Sequence, residues 1–152
     1  MRVLLLVRHA VALRRSEWDG ADELRPLSER GFSQAEALVG LLAGYDVTRV
    51  LSSPSLRCVQ TVTPLAHDRG VAVERAEALA EGGTAAAVRL VHGIEEGAVL
   101  CSHGDVIPEV LDSLDAGGHL AGVSRCEKGS TWVLVRRPDG TMAGDRYLPP
   151  PE

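Results

Sequence analysis

The chain has 152 residues, of which 45% are hydrophobic and 24% charged, and a formal net charge of −5. That length accommodates one domain with a full hydrophobic core, and the composition is that of an ordinary globular protein. The negative balance argues against binding a nucleic-acid polymer, which needs a basic face, but not against a small anion in a locally positive pocket.

Residues 3–7, Val-Leu-Leu-Leu-Val, form a short all-apolar run, as expected of a central parallel strand covered on both faces. The polar stretch 14–25 follows, where Trp18, Asp19 and Gly20 point to an irregular loop. Ser28 is placed as the N-cap of a helix over 29–42, with Ala35, Leu38, Val39 and Leu42 at helical spacing. Residues 48–51 read as a second strand, and Ser52-Ser53-Pro54 turns into a helix whose face carries Leu56, Val59, Val62 and Ala66. Pro64 kinks that helix or lies near its end. Residues 71–73 are a weaker third strand, 84–94 a helix, 98–101 a fourth strand and 105–114 a helix with Pro108 in its first turn. Residues 131–135 and 141–147 flank Pro138-Asp139-Gly140 and form an antiparallel hairpin. The alternation predicts an α/β fold: a three-layer α/β/α sandwich with a mostly parallel central sheet and an antiparallel C-terminal edge hairpin. A single domain is expected over 1–148, with 149–152 a Pro-rich tail.

Cys58, Cys101 and Cys126 are odd in number and lack C-x-x-C spacing, which indicates neither a disulfide framework nor a zinc site. Neither Cys58 nor Cys101 starts a C-x5-R loop, since Pro64 and Ile107 stand six positions on. The first apolar run is too short for a secretory leader and ends at Arg8-His9. No stretch approaches the roughly 18 apolar residues of a membrane span. The expected compartment is the cytoplasm, with no membrane association. Lys128 is the single lysine; the arginine bias reads as composition rather than as an oxyanion signal.

Ligands of such sheets bind outside the carboxyl ends of the strands. There the first strand presents Arg8 and His9, the second Ser52 and Ser53 with Arg57 one helical turn on, and the fourth Ser102, His103 and Gly104. Two arginines and two histidines should therefore meet helix N-termini on one rim, an arrangement suited to a tetrahedral dianion.

The segments Leu6-Val7-Arg8-His9-Ala10, Ser52-Ser53-Pro54-x-x-Arg57-x-x-Gln60-Thr61 and Ser102-His103-Gly104 resemble the histidine phosphatase superfamily, with its phosphoglycerate mutase-like fold. Arg25-Pro26-Leu27-Ser28-x-x-Gly31-x-x-Gln34-Ala35 is similar to the short phosphohistidine-phosphatase branch, and to the histidine-phosphatase domains that follow Nudix domains. The resemblance runs from residue 3 to about 115. It implies that His9 is the nucleophile, that Arg8 and Arg57 clamp the phosphoryl group, and that His103 holds its oxygens. It implies no metal and no cofactor. Glu81, in Leu79-Ala80-Glu81, is the candidate proton donor, with Glu77 the runner-up. An imidazole attacks only when neutral, and flanking arginines disfavour its protonation.

Arg14 and Arg15, with Trp18, are candidates for a substrate-selecting lid; a disordered polar loop is the competing reading. Arg25 either touches substrate or packs the loop onto the sheet. His67, His92 and His119 are expected at the surface. The leading function is a metal-independent phosphatase acting through a phosphohistidine on His9. Its substrate would be a phosphorylated small molecule, a nucleotide or a phosphoprotein. Alternatives are a phosphoryl mutase of small sugar acids, a non-catalytic phosphate-recognition module, and a metal hydrolase using His9, His103 and Asp105. Ala10, where the mutases have Gly, and Arg15, where they have Asn, weigh against the mutase.

Overall fold

Alternating apolar residues on β1 (Leu4–Arg8) divide the interior into two cores. The computed structural model describes residues 3–114 and 125–151. Leu4 and Leu6 point to one face, where they meet Ala87, Val91, Val110 and Leu111; Val3, Leu5 and Val7 point to the other, against Leu38, Leu42, Val62 and Leu65. Successive side chains of a strand face opposite ways, so a strand apolar at every position must be covered twice. The covering helices are α1 (Glu29–Leu41) and α2 (Leu56–Arg69) on one side, and α3 (Thr84–Gly93) and α4 (Ile107–Leu114) on the other. The predicted three-layer α/β/α sandwich is the observed architecture.

The sheet also contains β2 (Arg49–Ser52), β3 (Val73–Arg75), β4 (Ala98–Ser102), β5 (Thr131–Arg136) and β6 (Met142–Leu148), in the order β3-β2-β4-β1-β5-β6. The first four of that order pair in parallel; β5 and β6 add an antiparallel edge beside β1. In register, Arg8 stands beside Ser102, and Ser52 beside Cys101. The carboxyl ends of β1, β2 and β4 thus finish level with one another, which brings Arg8-His9, Ser53 and His103 to one rim.

Ser28 caps α1, its hydroxyl accepting from the Gly31 N–H at 3.1 Å. The third strand begins two residues later than the sequence predicts. Gly70 adopts the left-handed conformation that ends α2, and the Val71 N–H is then taken by the Ala66 carbonyl at 3.0 Å, which removes Val71 from the ladder. Pro64 lies inside α2, five residues before its last residue, Arg69. The last helix starts at Ile107 rather than at residue 105, because residues 103–106 form a turn in which His103 O accepts from the Val106 and Ile107 N–H groups.

Residues 14–25 are not an unstructured excursion. They carry two short 3-10 turns, Arg15–Glu17 and Asp22–Leu24, and Trp18 Nε1 donates to Ala21 O at 2.9 Å. The base is closed by an Ala12–Leu27 bridge and by Leu13 N–H donating to Pro26 O at 3.0 Å. The result is a compact loop with adjacent ends.

Candidate active site

The rim of β1, β2 and β4 opens into a cavity of about 440 Å³ lined by Arg8, His9, Arg57 and His103 together with Arg14, Arg15, Arg25, Glu81, Asp105 and Lys128. The expected nucleophile, both clamping arginines, the second histidine and Glu81 are all in that wall, as are Arg14 and Arg15. Glu77 is not: it is exposed at the start of the 3-10 turn Glu77–Leu79.

His9 is 7% exposed, and its Nδ1 lies 2.8 Å from Ala10 O. A carbonyl only accepts, so Nδ1 carries the proton and Nε2 keeps its lone pair. Burial lowers the His9 pKa to about 3, helped by His103, Arg57 and Arg8, against the opposing hydrogen bond to Ala10 O. The arginine field named in the sequence reading therefore contributes, but desolvation dominates. The His9 and His103 rings meet edge to face, with centroids 5.5 Å apart. Ala10, fully buried, gives its N–H to Thr61 Oγ1 at 2.9 Å, which fastens the end of β1 to α2.

Arg8 is gripped from a segment that the sequence did not signal. Its Nη1 donates to Cys126 O at 2.6 Å, and its backbone pairs with residues 129–130 through Arg8 N–H to Ser130 O at 3.0 Å and Gly129 N–H to Arg8 O at 3.2 Å. Gly104 is a packing requirement of the same group, since a Cβ there would stand 2.6 Å from Arg8 Cζ. Cys126 and Lys128 owe their place here to strand order, because β5 follows them and lies next to β1. No local sequence pattern could have shown it.

Arg57, alone on a helix, would read as solvated; here its side chain is 2% exposed. Nη1 donates to Asp22 O at 2.9 Å, and Nη2 meets Asp22 Oδ2 at 3.3 Å and Glu81 Oε1. The Nε atoms of both Arg8 and Arg57 are buried without a hydrogen-bond partner among the described residues. Leaving a buried donor unpaired is costly, so such donors mark a place where an acceptor belongs.

His103 is 3% exposed; its Nε2 lies 2.8 Å from Ser53 Oγ, and its Nδ1 is 3.5 Å from Glu81 Oε1. Cys58, fully buried, sits beneath it with Sγ 3.6 Å from Nε2, and Cys101 is likewise core. Asp105 Oδ2 accepts from the Gly82 N–H at 2.9 Å, tying the loop that carries Glu81 to the one that follows His103. That bond engages the carboxylate the metal-hydrolase reading would have needed. Among the described residues no group of three or more His, Cys, Asp or Glu side chains is arranged to hold a metal ion.

Arg25 lines the cavity and also packs the loop, donating to Leu13 O at 2.6 Å and to Asp22 Oδ1 at 3.0 Å. Arg14 and Arg15 are exposed on the cavity's outer wall. Six cationic side chains thus face two carboxylates, Glu81 and Asp105. Burial lowers the Lys128 pKa, and the fields of Arg8 and Arg25 lower it further, as expected where positive charge is concentrated. His67 and His92 are exposed, as expected; His119 lies outside the described residues. Asp22, missed in the sequence, touches three arginines: Arg57, Arg25 and, at 3.7 Å, Arg15.

A doubly covered α/β sheet with a twin-histidine, arginine-rich oxyanion pocket at its carboxyl edge is the class that fold and site define together. The chain belongs to the histidine phosphatase superfamily (branch 1), whose profile matches residues 4–87, more than half of its length. An 8-oxo-(d)GTP phosphatase of Mycolicibacterium smegmatis is 37% identical over 161 residues, covering 99% of this chain and 49% of the relative. The chain thus spans about half the length of that curated relative. Its fold is similar to that of the protein histidine phosphatase SixA complexed with tungstate (19% identity, TM-score 0.76, 97% of this chain and 96% of that one). It is also similar to a phosphoserine phosphatase from Entamoeba histolytica in complex with 3-phosphoglyceric acid (16% identity, TM-score 0.76, 97% of each chain). Among the described residues no helix is long and apolar enough to cross a membrane.

Proposed function

We propose that this protein is a metal-independent phosphatase that works through a phosphohistidine on His9. The observation that carries the reading is the neutral, buried His9, with Nδ1 engaged by Ala10 O and Nε2 left for attack inside a wall of arginines. In the first step the Nε2 lone pair forms the N–P bond as the bond from phosphorus to the leaving oxygen breaks, and the leaving oxygen takes a proton from Glu81. In the second, water attacks phosphorus, the N–P bond returns its electron pair to Nε2, and Glu81 recovers the proton. Arg8 and Arg57 hold the equatorial oxygens, where charge stabilisation and positioning supply most of the catalysis. His103 joins them through Nδ1, the ring nitrogen 3.5 Å from Glu81, while its Nε2 lies 2.8 Å from Ser53 Oγ. A phosphoryl group that takes Arg57 from Glu81 leaves the Glu81 carboxyl beside the leaving oxygen.

Among substrate classes a nucleoside polyphosphate fits best. The relative of 37% identity is an 8-oxo-(d)GTP phosphatase. The cavity of about 440 Å³ exceeds what one phosphoryl group fills, and its outer wall adds Arg14, Arg15 and Lys128. Hydrolysis of p-nitrophenyl phosphate should persist in EDTA and be lost in His9→Ala, with an acid-labile phosphoenzyme mapping to His9. Glu81→Gln should slow alkyl phosphate esters more than phosphohistidine, whose leaving imidazole can depart without that proton. Activity that disappears with the chelator, or a His9→Ala enzyme that still turns over, sinks the proposal.

A further inference from the structure

Arg57 is approached along two edges of its guanidinium, and they are used differently. The end edge, Nη1 and Nη2, is held by one residue: Asp22 accepts through its main-chain oxygen at 2.9 Å and through Oδ2 at 3.3 Å. On the side edge, Nε and Nη2, only Nη2 has a further partner among the described residues, Glu81 Oε1, while Nε is buried without one. A guanidinium offers parallel N–H pairs that match two oxygens of a phosphoryl group. With the end edge occupied by the Asp22 main-chain oxygen and carboxylate, the side edge is the pair left for an anion, and Glu81 is its exchangeable occupant.

Asp22 does not line the cavity, so it acts there through the arginines it touches, of which Arg57 is the most deeply buried. It is itself anchored. Oδ1 accepts from Arg25 Nε at 3.0 Å and lies 3.7 Å from Arg15 Nε, and Arg25 Nη1 donates on to Leu13 O at 2.6 Å at the base of the loop. Burial pushes the Asp22 carboxyl up, but the Arg25 hydrogen bond and the charges of Arg57, Arg25 and Arg15 outweigh it and hold it below its ordinary value. The carboxylate therefore keeps its charge, and its grip on the arginines, through the neutral range.

The geometry points to Asp22 as the positioning residue of this site, gripping Arg57 by its end edge so that the Nε–Nη2 edge is presented to the phosphoryl group, and linking that clamp to the folded state of loop 14–25. The inference rests on the phosphoryl-transfer reading above. Orientation of a clamp is worth much in rate, because a fork turned off axis loses one of its two bonds in the transition state.

The test compares Asp22→Asn and Asp22→Ala with wild type in p-nitrophenyl phosphate turnover and in orthovanadate binding by calorimetry. Both variants should lose about tenfold or more in kcat/KM and a similar factor in orthovanadate affinity. Glu23→Gln, which removes a charge from the same turn, should stay within about twofold. In an Arg57→Ala background Asp22→Asn should cost no further orthovanadate affinity, since its effect passes through Arg57. The near-isosteric Asp22→Asn decides the matter if Asp22→Ala does not fold. Unchanged kinetics in Asp22→Asn, or an equal further loss without Arg57, overturns the proposal. A wild-type protein that neither turns over nor binds orthovanadate overturns the phosphatase reading and this one with it, whereas an active wild type with indifferent Asp22 variants overturns this one alone.

Discussion

His9 illustrates how one residue acquires a chemical state from its surroundings. Its imidazole is lowered to about 3 chiefly by burial, so the folded protein holds it neutral at pH values where the unfolded chain, near 6.5, would protonate it. The linkage has a definite sign. Between pH 6.5 and 3 the unfolded state binds one more proton at this residue, so stability is retained above 6.5 and is lost as pH falls toward 3, by about 1.4 kcal/mol per unit. Replacing the imidazole by an amide, His9→Asn, should flatten that acid limb. Urea unfolding of both proteins at pH 7, 6 and 5 measures it, and equal slopes would refute the account. Ser53 makes the complementary point: the resemblance placed it in a motif, but only the fold sets its hydroxyl 2.8 Å from His103 Nε2.

At the scale of elements, the site depends on how α1 seats against the loop that follows β1. Val11 O accepts from both the Ser28 N–H and the Ser28 hydroxyl at 3.0 Å, Val11 N–H donates to Gln34 Oε1 at 3.0 Å, and Leu27 N–H donates to Gln60 Oε1 at 2.9 Å. Gln34 and Gln60, glutamines of the sequence motifs, thus serve the backbone of the loops rather than the ligand. Gly31 allows the close contact, because a Cβ there would stand 1.9 Å from Val11 O. Backbone cannot yield as a side-chain tip can. Gly31→Ala should therefore lower stability by about 1–3 kcal/mol, the range for overpacking, and reduce activity with it as the cavity wall shifts. Thermal melting checks this; an unchanged midpoint would mean that α1 slides without cost. Strand β3 shows the limit of periodicity, since Val71 has the residue type of a strand but is taken by the cap of α2.

For the whole molecule, charge is distributed against its own average. A chain of net charge −5 gathers Arg8, Arg14, Arg15, Arg25, Arg57 and Lys128 around one cavity. Such focusing draws anions and weakens as salt screens it over about 8–10 Å. If a nucleoside polyphosphate is the substrate, its KM should rise with ionic strength more steeply than that of p-nitrophenyl phosphate, because Arg14, Arg15 and Lys128 act on its additional phosphates. Initial rates between low and physiological salt would test it, and parallel salt curves for the two substrates would exclude those outer cations from binding.

By itself the sequence determined the layered α/β plan and the rim. A short apolar run ended by Arg8-His9 is what a strand covered on both faces requires, and short strands alternating with helices place Arg57 and His103 at the same edge. These are local and periodic properties, which the chain carries without reference to its distant parts. The tertiary structure alone decided which neighbours give those residues their state. Sheet order set Cys126 O against Arg8 across 118 positions of chain, burial more than arginine charge neutralised His9, and the folded loop delivered Asp22 to Arg57. Hydrogen-bond partners and desolvation depend on which segments meet in space, and no spacing along the chain encodes that meeting.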